Sequence, residues 1–521
     1  MMRKAKIIIL MLLLVLTCVT VSAKDIYPIK TDVTLTYWVP LNVSPSATVK
    51  NLGETPLYQE IMKRTGIKVR FIHPAMGQET EKFNLMLASG ELPDIIEWQG
   101  WLTYPGGPEK AIEDGFIVQL NSLIDKYSPN LKKVLRDKEL NKMVRTDSGK
   151  YFVYPNVRGD EYLLVFTGPF IRKDWLDELG LKTPTTIDEW YTVLKAFKDK
   201  KKVRAPLTFR YDLWDNHNTF VGAFGATMGF YVNNGKIKYG PIQPEFKNFL
   251  ATFRKWYAEG LVDTNLPTVD QKILDGKMTS GMSGACISNT GNGIGKYLEA
   301  MQVKDPQYDL IAAPYPTLKK GQRAMFGQLE NKYSRNGNAA ITTKCKNPEL
   351  AARFLDYGYG DEGHMLFNFG IPGVSYNMVN NYPKYTDLLM KNPKGLTINQ
   401  AMGSYMRGHY NGPFVQDKRY LEQYAGLPQQ KTAIEIWKKT DQVKHRLPPI
   451  SPSPAESGEM AKVMNEVNIY RDEMILKFIM GTEPLDKFDE YVAQLKKLGI
   501  EKAIKINENA LARYQKRLQA N

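Results

Sequence analysis

Past an apolar leader, the hydrophobic and polar positions alternate between two periods. Val33, Leu35 and Tyr37 alternate with Thr34 and Thr36, which predicts a strand ending at Pro40 with Trp38 on its other face. Thr55 as N-cap and Pro56 at the first helical position open a helix carrying Leu57, Ile61 and Met62 and closing at Gly66. Ile67, Val69 and Phe71 alternate in a second strand, and a helix holding Phe83 to Ala88 ends at Gly90. Asp94 to Glu97 read as a third strand with Trp98 and Trp101 at its exit. This βαβαβ order predicts a mainly parallel sheet wrapped by helices. Ligands of such sheets lie beyond the carboxyl ends of the strands. Trp38 and Trp98 fall there and Trp101 follows three residues on, so these three indoles are the leading candidates for a binding surface.

The second half of the pattern starts at Leu163. The apolar run Leu163 to Phe166 predicts a strand broken at Gly168-Pro169. Ile171, Trp175 and Leu179 then share one helical face before Gly180, a helix-ending position. Thr186 and Glu189 spell a capping box, and Ile187, Trp190, Leu194 and Phe197 form the stripe of the helix that follows. Further strands are expected at residues 150–156 and 207–211. Helices are expected around 219–229 and through Phe246, Leu250, Phe253 and Tyr257. Pro448, Pro449, Pro452 and Pro454 mark a long loop, and amphipathic helices fill the chain from 456 on. Trp175, Trp190, Trp256 and Trp437 sit on or beside apolar stripes and are expected in the core.

The spelling of these elements carries a family resemblance. Ile171-Arg172-Lys173-Asp174-Trp175-Leu176, Leu179-Gly180-Leu181, Pro184-Thr185-Thr186 and Asp188-Glu189-Trp190 form one block. Tyr470-Arg471-Asp472-Glu473-Met474, Phe478-Ile479-Met480-Gly481 and Phe488-Asp489-Glu490-Tyr491-Val492 form another, and Tyr257-Ala258-Glu259-Gly260-Leu261 belongs to a third. Together they resemble the extracellular solute-binding protein family 1 of ABC importers, within it the LplA-like lipoprotein subgroup. The resemblance implies an α/β, two-lobed periplasmic-binding-protein-like fold of type II. Each lobe would hold a mostly parallel sheet flanked by helices, with extra C-terminal helices. It implies an N-lobe of residues 24–156 and 331–375 and a C-lobe of 157–330 and 376–521, with strands near 278–289 and 309–314. It also implies a carbohydrate ligand, an ABC permease served by a separate ATPase, and a monomer. Many relatives carry an EF-hand-shaped calcium loop after the second helix of the first block. Here Asp199-Lys200-Lys201-Lys202-Val203-Arg204-Ala205-Pro206 stands there, and lysine cannot coordinate a cation, so no metal or other cofactor is expected.

Bulk properties narrow the reading. A chain of 521 residues exceeds what one hydrophobic core serves, so two bodies are expected. Net charge is +15, yet the longest basic run is Lys200 to Lys202, and no Lys/Arg stripe is interleaved with aromatics, which disfavours nucleic acid. Arg3, Lys4 and Lys6 precede an apolar run from Ile7 to Leu16 and the sequence Val21-Ser22-Ala23, the pattern of a signal peptide over residues 1–23. Cleavage after Ala23 is favoured over lipidation at Cys18, because Thr17 is a poor residue before a lipidated cysteine. Either outcome exports the protein. Cys286 and Cys345 are read as buried small hydrophobes rather than a disulfide.

Catalytic signatures are missing from the sequence. No H-E-x-x-H, P-loop or G-x-S-x-G occurs, and five histidines are scattered without ligand spacing. A sugar receptor pairs flat rings with planar polar groups. Besides the three indoles, candidates are Trp214 after a second-lobe strand, Arg158 and Asp160 after the first crossing, Asn289 at a strand exit, and Tyr376 after a hinge return. Tyr410 lies in the loop-like segment 404–411, a candidate lid. Arg172 is either a ligand contact or a tie between helix and sheet, the latter favoured. The expectation is an exported importer component that binds an oligosaccharide. A secreted carbohydrate-active enzyme and a sensing or surface-binding module without transport role are the alternatives.

Overall fold

The structure, a computed structural model, describes residues 26–212 and 218–517. Two four-stranded sheets organise it. The first runs β11-β3-β1-β2, with β1 Thr34–Trp38, β2 Lys68–Ile72, β3 Ile95–Glu97 and β11 Ala339–Ile341. β1 pairs in parallel with β2 and β3, as the βαβαβ pattern predicts, and β11 returns antiparallel to β3. Thr55 caps the Pro56–Thr65 helix by accepting from the Tyr58 N–H, and Gly66 ends it at φ 72°. The residues 150–156 do not form a strand; they make only isolated bridges, Tyr151 to Arg145 and Tyr154 to Ala339.

The second sheet runs β10-β5-β9-β6, with β5 Thr167–Arg172, β6 Leu207–Phe209, β9 Ala285–Asn289 and β10 Leu310–Ala312. Only β6 and β9 are parallel; β5 is antiparallel to both of its neighbours, so this sheet is mixed rather than mostly parallel. Successive side chains enter opposite cores. Phe170 and Cys286 face one cluster with Trp437, while Ile171, Ala285 and Ile287 face another with Trp190 and Trp256. A sheet covered on both faces needs this uninterrupted apolar run.

β5 lies four residues downstream of the strand expected at Leu163 to Phe166. That stretch is instead a 3-10 turn, Glu161–Leu163, followed by a bend whose Phe166 N–H donates to Gln328 Oε1 at 2.7 Å. Gly168-Pro169, read as a breaker, sits inside the strand. The reason is packing by a residue far off in sequence: a Cβ on Gly168 would come within 2.5 Å of the Trp437 indole, whose N–H donates to the Pro169 carbonyl at 3.1 Å. The helix accordingly starts at Lys173 and leaves Ile171 in the sheet. The Thr186–Glu189 capping box forms as read.

The two halves are joined where three chain segments run side by side. β4 (Val157–Arg158) pairs in parallel with β14 (Val415–Gln416), and Val157 bridges Tyr333. Gly159 is required here, since its Cβ would lie 2.4 Å from the Gln416 carbonyl oxygen. Residues before β14 pack on the first half: the Ile398–Tyr405 helix lies on the Val43–Ser46 and Pro56–Thr65 helices, and Phe414 joins the first core. A hairpin of β12 (Tyr376–Val379) and β13 (Tyr382–Tyr385) borders a small separate core, and β7 (Phe230–Asn233) and β8 (Lys236–Tyr239) form another hairpin. The long Pro454–Met480 helix and the Ile500–Lys516 helix complete the second half. Cys286 and Cys345 are free and buried in different cores.

Candidate functional site

The carboxyl ends of β1 and β3 open onto a cleft of about 200 Å³. Val39 and Pro40 wall it from the end of β1, Glu97 to Gln99 from the end of β3, Asn336 and Gly337 from the segment before β11, and Arg407, Tyr410 and Asn411 from the segment before β14. Gly337 makes the last two segments meet. It adopts φ 79°, and a Cβ there would sit 2.3 Å from the Gly412 nitrogen. Trp98 is seated on Gly100, where a Cβ would lie 2.5 Å from the indole, and it meets Trp38 edge-to-face at 6.0 Å.

Beneath the cleft lies a buried ion pair. Glu97 and Arg407 are 3% and 2% exposed, and the guanidinium donates to both carboxylate oxygens at 2.5 and 3.0 Å. Tyr37 donates its hydroxyl proton to Glu97 at 2.8 Å, and Arg407 donates to the Tyr58 hydroxyl at 2.7 Å. Burial alone would disfavour the guanidinium's charge, but Glu97, together with the Tyr58 and Tyr410 hydroxyls, outweighs it and holds the Arg407 pKa well above its ordinary value. The pair fixes the loop that follows it, because Arg407 is anchored at the end of β3.

That loop carries polar atoms without partners. The Arg407 Nε, both ring nitrogens of His409, the Tyr410 hydroxyl and the Asn156 Oδ1 are all enclosed and make no hydrogen bond. Asn156 belongs to the same cluster, since its Nδ2 donates to the Asn336 carbonyl at 3.0 Å and reaches Asn411 Oδ1 at 3.4 Å. Nearly all buried polar groups in proteins are paired, so such a concentration of unpaired ones sets this loop apart. Burial, and then the charge of Arg407, push the His409 pKa down to about 3, so its imidazole is neutral at physiological pH and offers one donor and one acceptor.

The expected site residues separate by position. Trp98 and Tyr410 wall the cleft, but Trp38 does not: it is 3% exposed, part of the first core, with its ring edge-to-face against Trp98, which corrects its expected place on the binding surface. Trp101 is a correction: it is 0% exposed, its indole N–H donates to the Ile96 carbonyl, and its ring packs on Phe83. The one-turn Gly100–Thr103 helix folds it back into the core and leaves it no surface for a ligand. Arg172 is the helix-to-sheet tie: buried, paired with Asp174, and held between the rings of Trp175 and Tyr308 at 4.2 and 4.1 Å. Arg158 reaches across the junction to Gln416 and lies over Phe166. Asp160 caps the turn at Tyr162 and pairs with Lys418. Asn289 caps the turn after β9 by accepting from the Asn292 N–H, and Tyr376 is buried against Phe369. Trp214, like the leader with Cys18 and Ala23, lies outside the described residues.

Of the residues around the cleft, the sequence singles out Glu97 and Asn156 only as strand positions and Arg407 and His409 only as members of the candidate lid 404–411, and it does not single out Asn336 at all. The loop expected to differ from calcium-binding relatives finishes the Ile187–Lys201 helix, with Lys202 at φ 57°. Among the described residues no cluster of His, Cys, Asp or Glu is placed to hold a metal ion, and no helix is long and apolar enough to cross a membrane.

Two α/β bodies joined by three adjacent segments, with a cleft at the strand ends of one, define the type II periplasmic solute-binding class. The chain belongs to the bacterial extracellular solute-binding proteins, whose family model matches residues 47–365. It is 24% identical to Lipoprotein LipO of Bacillus subtilis (strain 168) over 86% of each chain. It is 23% identical to the fructooligosaccharide ABC transporter substrate-binding protein FusA of Streptococcus pneumoniae serotype 4, over 94% of this chain and 92% of that one. Among solved structures, the alginate-binding protein AlgQ2 without calcium ion superposes with a TM-score of 0.74 at 27% identity, over 92% of this chain and 98% of that one.

Proposed function

We propose that this chain is the exported receptor of an ABC importer, capturing an oligosaccharide between two lobes and presenting it to a membrane permease. The observation that carries the reading is the cleft itself: Trp98 shares its walls with the amides of Gln99, Asn336 and Asn411 and with Arg407 and Tyr410, each of which has a polar atom without a partner. A pyranose has apolar C–H faces and a rim of hydroxyls, and this lining matches both. The FusA and AlgQ2 names support a carbohydrate ligand.

We place the lobe crossings at β4, near Tyr333 and at β14, so that residues 376–414 go with the first lobe. Three short crossings lying side by side make a hinge. Ligand touching both lobes favours the closed state by its differential affinity for closed over open. The ATPase is a separate chain and the receptor works as a monomer. The leader is removed after Ala23.

The protein is a carrier and not a catalyst. Glycoside hydrolysis needs two carboxyl groups flanking the bond, and the one carboxylate walling this cleft among the described residues, Glu97, is bound to Arg407. The testing experiment is a thermal-shift screen of the mature protein against neutral and acidic oligosaccharides, amino acids and peptides. A ligand present at a hundred times its Kd stabilises by about 2.7 kcal/mol, which a shift in Tm reports. Stabilisation by peptides or amino acids and by no glycan would overturn the carbohydrate assignment.

A further inference from the structure

A second cavity of about 220 Å³ adjoins the cleft and shares Gln99 with it as a wall. Its other walls come from both halves of the molecule: Arg145 and Phe152 from the first, Tyr333 and Arg335 from a crossing segment, and Ile450 and Arg517 from the C-terminal region. Asn336 and Gly337 of the first cleft directly follow Arg335, so the two cavities form consecutive stretches of one groove.

The charges in this second stretch do not balance. Asp147 is engaged by both Arg513 and Arg517, at 2.7 and 2.8 Å. Among the described residues neither Arg145 nor Arg335 forms an ion pair. Arg145 spends one nitrogen on the Tyr151 hydroxyl at 2.7 Å, while its enclosed Nε has no partner. Tyr333 is 2% exposed, and its hydroxyl is likewise without a hydrogen bond. Burial raises the pKa of that hydroxyl, and the charges of Arg335 and Arg517, which wall the same cavity, act against the rise. Two uncompensated guanidinium groups and a buried phenolic donor form a receptor for a planar, negatively charged group.

We propose that this cavity binds the carboxylate of an acidic sugar unit, making the ligand a uronate-bearing oligosaccharide whose neighbouring residue stacks near Trp98. Arg145 and Arg335 supply the charge and Tyr333 donates a hydrogen bond to a carboxylate oxygen. Because the cavity is walled from both halves, the acid group also favours the closed form. The proposal rests on the carbohydrate reading above and sharpens it.

The test is calorimetric titration of the full mature chain with matched pairs of tri- and tetrasaccharides: oligogalacturonates, oligoalginates and hyaluronan fragments, each against its methyl ester. At least one acidic member should bind tenfold or more tightly than its ester. Arg335→Gln and Tyr333→Phe should each reduce that ratio, with the acid losing more affinity than its ester. Arg145→Gln serves as a second charge variant should the others fold poorly. An acid and ester that bind equally, a preferred neutral glycan, or a ratio that survives both charge variants overturns the carboxylate subsite and leaves the carbohydrate reading standing. Failure of every glycan to bind overturns both.

Discussion

Replacing Arg407 by methionine removes the cation from a pair that is almost entirely buried at the floor of the cleft. Glu97 then keeps only the Tyr37 hydroxyl at 2.8 Å and loses the two guanidinium bonds of 2.5 and 3.0 Å. Stranding one member of a buried pair costs about 3–5 kcal/mol. The penalty has a ceiling, because the carboxyl can escape by taking up a proton, and neutralising an ordinary glutamate at pH 7 costs about 4 kcal/mol. A deficit of about 3–4 kcal/mol at pH 7 is therefore expected for Arg407→Met, read by urea denaturation followed through tryptophan fluorescence. The ceiling also sets a pH signature: the deficit should shrink by up to about 1.4 kcal/mol for each unit the pH is lowered from 7 toward 5. Adding Glu97→Gln removes the stranded charge, so the double variant should recover most of the loss at pH 7. The reasoning is refuted by a single-variant deficit below about 1 kcal/mol, by a deficit independent of pH, or by a double variant no better than Arg407→Met.

The cleft and the scaffold give further expectations. Trp98→Ala should weaken binding of the ligand about five- to tenfold, since covering a few tens of Å² of sugar face yields on the order of 1 kcal/mol per ring. Gly100→Ala, whose Cβ would press on that indole, should weaken it through a displaced ring, and calorimetric titration of both variants would show it. Gly168→Ala forces a methyl against Trp437 and should cost about 1–3 kcal/mol in denaturant unfolding; a neutral result would mean that β5 tolerates separation from that helix. Glu456 is held at about 2: burial works to raise its pKa, but hydrogen bonds from Asn509 and Ser453 and the charge of Arg513 outweigh it. A carboxyl depressed on folding contributes stability above its unfolded pKa, and that contribution is lost as the pH falls from about 4.5 to about 2. The carboxylate is partly solvated, so the loss is on the order of 1 kcal/mol, and Glu456→Gln should flatten that part of the acid-unfolding profile.

Local order was legible in the chain. Thr55-Pro56 to Gly66 and Thr186 to Glu189 are caps whose physics acts within a few residues, and they form where the sequence puts them. The alternation of β1 and β2 and the exit of Trp98 beyond β3 also follow from periodicity, and they led to the cleft. The family blocks pointed to two lobes because each encodes a helix surface shared by the fold. What only the tertiary structure decided were outcomes set by partners distant in sequence. Gly168-Pro169 reads as a break and is a strand, because Trp437 arrives 269 positions later to press on the glycine. Trp101 reads like Trp98, yet a single helical turn sends one indole into the core and leaves the other at the rim. Glu97 and Arg407 look like ordinary charges until folding brings them, 310 positions apart in the chain, to hydrogen-bonding distance in a buried place. Short-range hydrogen bonding and side-chain period are properties of a segment, whereas burial and charge pairing are properties of the neighbours that folding supplies.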